Sequence, residues 1–202
     1  MLLARHGGTE VNRRVWVTKS RGLRVSSCHI FNAFEEPSPI NIYDLREWLP
    51  RPTQEIRRRV WDFQRHHFSR TVGMHIRRTD KRSAIIGTPD KLYLDAANEL
   101  VNQGFNIFLA TDNARTRDMM VVRYKDKIIS YPKTNEMNAR WPRRFNLDAS
   151  LEDLVDMHLL AACEFVIGSA FSSYSMLAVL YNGSPRSKLM SRRAPSVGKA
   201  PG

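Results

Sequence analysis

Beyond residue 50 the spacing of apolar positions changes several times, and each change marks a predicted element. Ile56, Val60 and Phe63 recur at helical spacing behind Pro52 and Thr53, which predicts a helix over 54–67, capped by the Thr53 hydroxyl, with its arginines in water. Val72, Met74 and Ile76 then alternate with Gly73, His75 and Arg77, the pattern of a short strand entering a core. Thr88-Pro89 supplies a cap and a first-turn proline for a helix over 90–103, with Leu92, Ala96 and Leu100 inward and Gly104 as its stop. The run FNIFLA at 105–110 predicts a second buried strand, 115–124 a helix, and KIISY at 127–131 a third strand. Residues 132–146 have no period and predict a long loop, a feature that in a compact domain usually serves function. Ser150, with Asp153 three residues on, opens a further helix whose apolar stripe is Leu151, Leu154, Val155, His158 and Leu159, with Asp156 off to one side. A fourth strand at 165–167 leads through a glycine-serine turn into a helix that runs to Tyr181 and stops at Asn182-Gly183.

From residue 72 the order is βαβαβ, loop, αβα. That order predicts an α/β fold with a doubly wound, mostly parallel sheet and helices on both faces. Residues 1–70 are mostly aperiodic, with short apolar runs at 15–17 and 23–25 and a loop holding Pro37 and Pro39, and read as a reduced or partial unit. The chain therefore divides into an N-terminal region 1–70, a main domain 71–183 and a basic, flexible tail 184–202. The 202 residues suffice for one full core.

Composition adds limits. With 42% hydrophobic and 26% charged residues the chain can bury enough surface to fold. The net charge of +12 raises the question of a polyanionic partner. Five of the cations, Arg186, Lys188, Arg192, Arg193 and Lys199, fall in the proline- and serine-containing tail, where contact with a membrane surface is the available role. Another cluster, Arg57, Arg58, Arg59, Arg65 and Arg70, belongs to the first helix and has aromatics beneath it rather than interleaved, which disfavours nucleic acid. No apolar run reaches the length of a membrane span, and the first residues, MLLARHGGTE, lack the apolar core of a signal peptide. Two cysteines, Cys28 and Cys163, read as reduced thiols more readily than as a disulfide, so the expected compartment is cytoplasmic.

The chemistry gathers at strand ends. The first strand runs into Arg77-Arg78-Thr79-Asp80-Lys81, the second into Thr111-Asp112, and the fourth into Gly168-Ser169-Ala170-Phe171-Ser172-Ser173. In an open parallel sheet the carboxyl edge is where ligands bind, and guanidinium forks beside a helix N-terminus suit a phosphate or diphosphate. The alternative is an Arg–Asp surface pair that merely closes a strand.

The segments HIRRTDK, FLATDN, Val155-Asp156-Met157-His158-Leu159-Leu160 and VIGSAFSSYS, in this order and spacing, resemble the motifs of the α1,6-fucosyltransferase and nodulation fucosyltransferase group, and the last is also similar to that of protein O-fucosyltransferases. The likeness runs from Val72 to Tyr181. It implies a GT-B-type half that binds GDP-fucose as donor substrate, uses no metal or other cofactor, and inverts the sugar carbon while passing it to a glycan or peptide acceptor. By the same resemblance His75 and Asp156 help hold the nucleotide, Arg77 lies on the diphosphate with Arg78 beside it, Ser172 and Ser173 bind phosphate, and Asp80 and Lys81 join Arg77 in catalysis. Thr111 and Asp112 complete the edge.

Two departures matter. That group has a glutamate five residues after the motif aspartate as a candidate acceptor base, and here Ile85 stands there. Asp80 or Glu36 would have to replace it, or leaving-group departure would dominate, or the protein would bind without turnover. The region before residue 71 is also short for a complete first lobe. A separate match, Arg5-His6-Gly7-Gly8-Thr9-Glu10-Val11-Asn12, resembles the opening motif of histidine phosphatases, with His6 taking the phosphoryl group and Arg5 binding it; the second His-Gly of that family has no counterpart.

Overall fold

The computed structural model describes residues 46, 49–80, 82–133 and 147–191. Contacts divide the chain into Met1–Ile40 and Asn41–Gly202, and every described residue belongs to the second unit. Its elements are α1 (Gln54–His67), β1 (Thr71–Ile76), α2 (Arg82–Gly87), α3 (Asp90–Asn102), β2 (Asn106–Thr111), α4 (Ala114–Tyr124), β3 (Ile128–Ile129), α5 (Leu147–Ala161), β4 (Val166–Ser169), α6 (Ser173–Asn182) and β5 (Lys188–Met190). The five strands form one sheet in the order β3-β2-β1-β4-β5, and every pairing is parallel. β1 pairs with β2 from Thr71↔Asn106 to Ile76↔Thr111 and with β4 at Gly73↔Val166 and Met74↔Ile167. Chain order runs outward from β1 in both directions, so the switch point, where an open sheet of this kind leaves a crevice, lies between the carboxyl ends of β1 and β4.

Two apolar layers account for the stability of this arrangement. On one face Val72, Met74, Ile76, Ile107 and Leu109 pack against Tyr93, Ala97 and Leu100 of α3 and Met120 and Tyr124 of α4. On the other, Phe108, Ala110 and Val166 meet α1, α5 and α6 through Ile56, Val155, Leu159, Leu160 and Ala178. β1 is buried along its whole length, which is why it reads as a near-continuous apolar run. Thr53 does cap α1, its hydroxyl accepting from the Ile56 N–H, and Phe63 stacks edge-on to Phe108 of β2. Thus α1 is part of this sheet's covering layer, although the sequence reading assigns it to the N-terminal region. Cys163 is buried and unpaired, and burial pushes its thiol pKa up.

Several predicted details differ. The buried face of α3 is Tyr93, Ala97 and Leu100, one residue on from Leu92 and Ala96, because the Tyr93 hydroxyl finds a partner in the sheet. The third strand shrinks to Ile128–Ile129, since Lys125–Lys127 forms a single 3-10 turn. Ser150 lies inside α5, which begins at Leu147, and Leu154 faces outward at 42% exposure, whereas Asp156 points into the protein. Of the segment read as a flexible tail, Lys188–Met190 forms the edge strand β5, with Ile167↔Lys188 and Ser169↔Met190 paired. On α1 the aromatics are not all beneath the cations: Trp61 is 57% exposed, with the Arg65 guanidinium 4.8 Å from its ring centre. No helix among the described residues is long and apolar enough to cross a membrane.

Candidate functional site at the carboxyl edge of the sheet

The edge is assembled by backbone groups as much as by side chains. The Arg77 N–H, the first beyond β1, donates to Ser169 Oγ at the end of β4 (3.0 Å), and the Tyr93 hydroxyl shares that oxygen at 2.6 Å. Burial pushes the Tyr93 phenol pKa up, so it stays a neutral hydrogen-bonding group. Thr111 Oγ1 donates to Ile76 O (2.8 Å), tying the end of β2 to β1. Asp112 then accepts from the Arg78 N–H (2.7 Å) and from both the N–H and the hydroxyl of Thr79. One carboxylate therefore sets the course of the turn after β1.

The two adjacent arginines are used differently. The Arg77 side chain is 27% exposed and, among the described residues, meets two carboxylates, Asp80 through Nε at 2.9 Å and Asp112 at 3.0 Å. The Arg78 side chain is 9% exposed and turned toward α3, where it donates to Asp90 and to the Thr88 carbonyl and lies over the Tyr93 ring. Expected beside Arg77, the Arg78 guanidinium instead ties the turn to the start of α3.

On the β4 side, Phe171 takes φ = +60°, a left-handed backbone that a bulky residue adopts only under constraint. Ser172 follows as the cap of α6, its buried Oγ accepting from the Ser175 N–H at 3.3 Å, and Ser173 is exposed in the first helical turn. The opening N–H groups of a helix have no partner within it and carry the positive end of its dipole. A hydroxyl that accepts in a cap still has its proton to donate.

Beneath this turn is His75. Its Nδ1 lies 2.5 Å from Ser175 Oγ, which also accepts from the Ser169 N–H at 2.9 Å. A Cβ on Gly168 would fall 2.6 Å from the Ser175 Cβ, so α6 approaches β4 this closely only because residue 168 is glycine. Burial, with the charges of Arg77 and Lys133 next, drives the His75 pKa down to about 3. The ring is neutral near pH 7, so one of its nitrogens donates and the other accepts.

Asp156 of α5 is buried, and its Oδ2 meets Lys133 Nζ at 2.7 Å. Of the residues expected at this site, Arg77 and Asp80 belong to the turn after β1, Asp112 to the turn after β2, Ser172 and Ser173 to the turn after β4 and the start of α6, and His75 to β1. Thr111 and Arg78 brace the turn after β1. Arg5, His6, Glu36 and Lys81 lie outside the described residues. Ser169, Ser175, Tyr93, Thr79 and Lys133 were not expected as site residues; Thr79 had a signal as a member of HIRRTDK and the serines as members of the VIGSAFSSYS run.

No family model matches the chain, and no curated protein sequence matches it significantly. Among solved structures, POFUT1 in complex with GDP aligns with a TM-score of 0.51 at 11% identity, over 75% of this chain and 50% of that one. POFUT1 in complex with GDP-fucose gives 0.50 at 11% identity, over 74% and 49%. The fucosyltransferase NodZ from Bradyrhizobium aligns over 62% of this chain and 41% of its own, with 24% identity and a TM-score of 0.43. The chain thus spans half or less of the length of these structures. The fold of the described domain is the one it shares with part of POFUT1, an α/β domain built on a parallel sheet.

Proposed function

We propose that this edge binds GDP-fucose and that the domain is the donor half of an inverting, metal-independent fucosyltransferase acting on a glycan or peptide acceptor. The observation that supports it most is the junction of β1 with the start of α6: the Arg77 N–H is fixed on Ser169, three residues before the Ser172 cap. Departure of GDP develops charge on the β-phosphate. A guanidinium and helix N–H groups aimed there stabilise that charge, and one such donor is typically worth about 2.7–4 kcal/mol of activation free energy. In this reading Arg77 leaves Asp80 and Asp112 for the diphosphate, Ser172 and Ser173 donate to phosphate oxygens, and His75 and Asp156 hold the nucleotide.

A second reading, binding of a GDP-sugar without transfer, draws support from Ile85, an aliphatic side chain where an acceptor base is expected, and from Asp80 being paired with Arg77. A thermal-shift panel of GDP-, UDP- and CMP-linked sugars tests both, because a ligand stabilises in proportion to the logarithm of its concentration over its Kd. GDP-linked ligands should raise Tm above the others. Release of fucose from GDP-fucose then separates transferase from binder, and an equal response to all three nucleotides would defeat both.

A further inference from the structure

Helix α1 has opposite chemistries on its two sides. The inner side, Ile56, Val60 and Phe63, packs into the covering layer of the sheet, with Phe63 edge-on to both Phe108 and Tyr131. That anchoring fixes the direction of the outer side. There Trp61 is 57% exposed, and Arg57, Arg58 and Arg65 are exposed around it. At about 100° per residue, the three arginines fall within about 60° of Trp61 around the helix axis, so guanidiniums and indole form one stripe. The Arg65 guanidinium lies 4.8 Å from the ring centre. Both acids of the helix are off the stripe. Glu55 is paired with Arg59 at 2.6 Å, and Asp62 is about 100° round from Trp61.

A single exposed hydrophobic residue is ordinary on a protein surface. An indole set among three guanidiniums is different, because both kinds of group favour the same place. In the headgroup layer of an anionic bilayer the ring sits at the boundary of water and hydrocarbon, while cations meet lipid phosphates. The net charge of +12 draws the chain toward such a surface. A nucleic-acid strand calls for a groove with a run of stacking rings. This stripe lies on a convex helix and holds the only exposed Trp, Tyr or Phe among the described residues.

We propose that the Trp61 stripe of α1 docks the protein on an anionic lipid surface, with the indole at headgroup depth and Arg57, Arg58 and Arg65 on lipid phosphates. This docking is independent of the nucleotide-sugar reading of the sheet edge. The test is co-sedimentation of the full chain, at low salt, with vesicles of phosphatidylcholine alone and of phosphatidylcholine and phosphatidylserine in a ratio of two to one. The wild type should favour the anionic vesicles. Replacing Arg57, Arg58 and Arg65 together by Gln should weaken that binding on the order of 100-fold, about fivefold per arginine. Trp61→Ser should weaken it about tenfold, with Tm near wild type because the side chain is exposed. Replacing Arg192, Arg193 and Lys199 by Gln removes the same charge from the C-terminal stretch and should cost far less. Equal losses from the two triple variants, unchanged binding by Trp61→Ser, or a wild type that does not sediment with anionic vesicles overturns the proposal. Loss of oligothymidine or heparin binding in Trp61→Ser, with vesicle binding intact, also overturns it and assigns the stripe to a soluble polyanion.

Discussion

The turns after β1 and β4 close adjacent strands of one sheet, yet they are held by opposite means. The first is rich in charge: Arg77, Arg78, Thr79 and Asp80 are partly or fully exposed and are positioned by Asp112, a carboxylate from a neighbouring strand. The second has no charge at all. Ala170 is held by the Met190 carbonyl, Ser172 by its own cap, and Phe171 by a strained backbone with its ring against Gly87. An exposed ion pair such as Arg77–Asp80 contributes little and exchanges readily. The neutral turn is held by hydrogen bonds and close packing. One side of the switch point is thus set by charge and the other by backbone bonds and packing.

The largest effect expected from that contrast is at the two arginines. Arg77→Ala should cut GDP binding or turnover about 10²- to 10³-fold, equivalent to about 2.7–4 kcal/mol, and leave Tm close to wild type. Arg78→Ala should do the reverse in kind. Removing its contacts to Asp90 and the Thr88 carbonyl should cost about 1.5–3 kcal/mol of folding stability, measured by urea titration. Wild-type binding by Arg77→Ala, or wild-type stability in Arg78→Ala, would erase the distinction.

A more gradual effect should appear in the pH dependence of stability. The His75 pKa is about 3 in the folded chain against an ordinary value of 6.5, so between those limits the unfolded state binds a proton that the native state refuses. Stability must then fall as pH falls from 6.5 toward 3, by up to about 1.4 kcal/mol per pH unit from this group, and be independent of it above 6.5. Burial lowers the His158 pKa as well and acts in the same sense, so the informative quantity is the difference between wild type and His75→Gln. Identical slopes would mean that the imidazole is not sealed under the β4 turn.

What the sequence disclosed and what it hid follow the same division. β1, β2 and β4 were legible because parallel strands buried on both faces read as apolar runs, and α1 because Thr53 precedes a clean helical period. β5 was not legible. Three residues, Lys188–Met190, in a basic stretch pair with β4 beside a bond from the Val166 N–H to Ser187 Oγ, a contact across 21 residues. The face of α3 was misread by one position because the reason to bury Tyr93 is a hydroxyl 76 residues away. Arg77 and Arg78 are chemically alike and adjacent, so only the placement of Asp90 and Thr88 shows which of the two braces α3. Lys133 sits in an aperiodic stretch, where no pattern marks it as the partner of two carboxylates on α5.

The smallest predicted effect concerns the serines of the neutral turn. Ser172→Ala removes the oxygen that accepts the Ser175 N–H, and loss of a serine cap typically costs about 1 kcal/mol. Ser173 is exposed in the first turn, so Ser173→Ala should change stability by no more than about 0.5 kcal/mol. Both should weaken GDP binding if both hydroxyls reach phosphate, but only Ser172→Ala should do so while also lowering the urea midpoint. Equal destabilisation by the two substitutions would show that the cap is shared between them, and the β4 turn would then be held less by the Ser172 hydroxyl than by the close packing of α6 against Gly168.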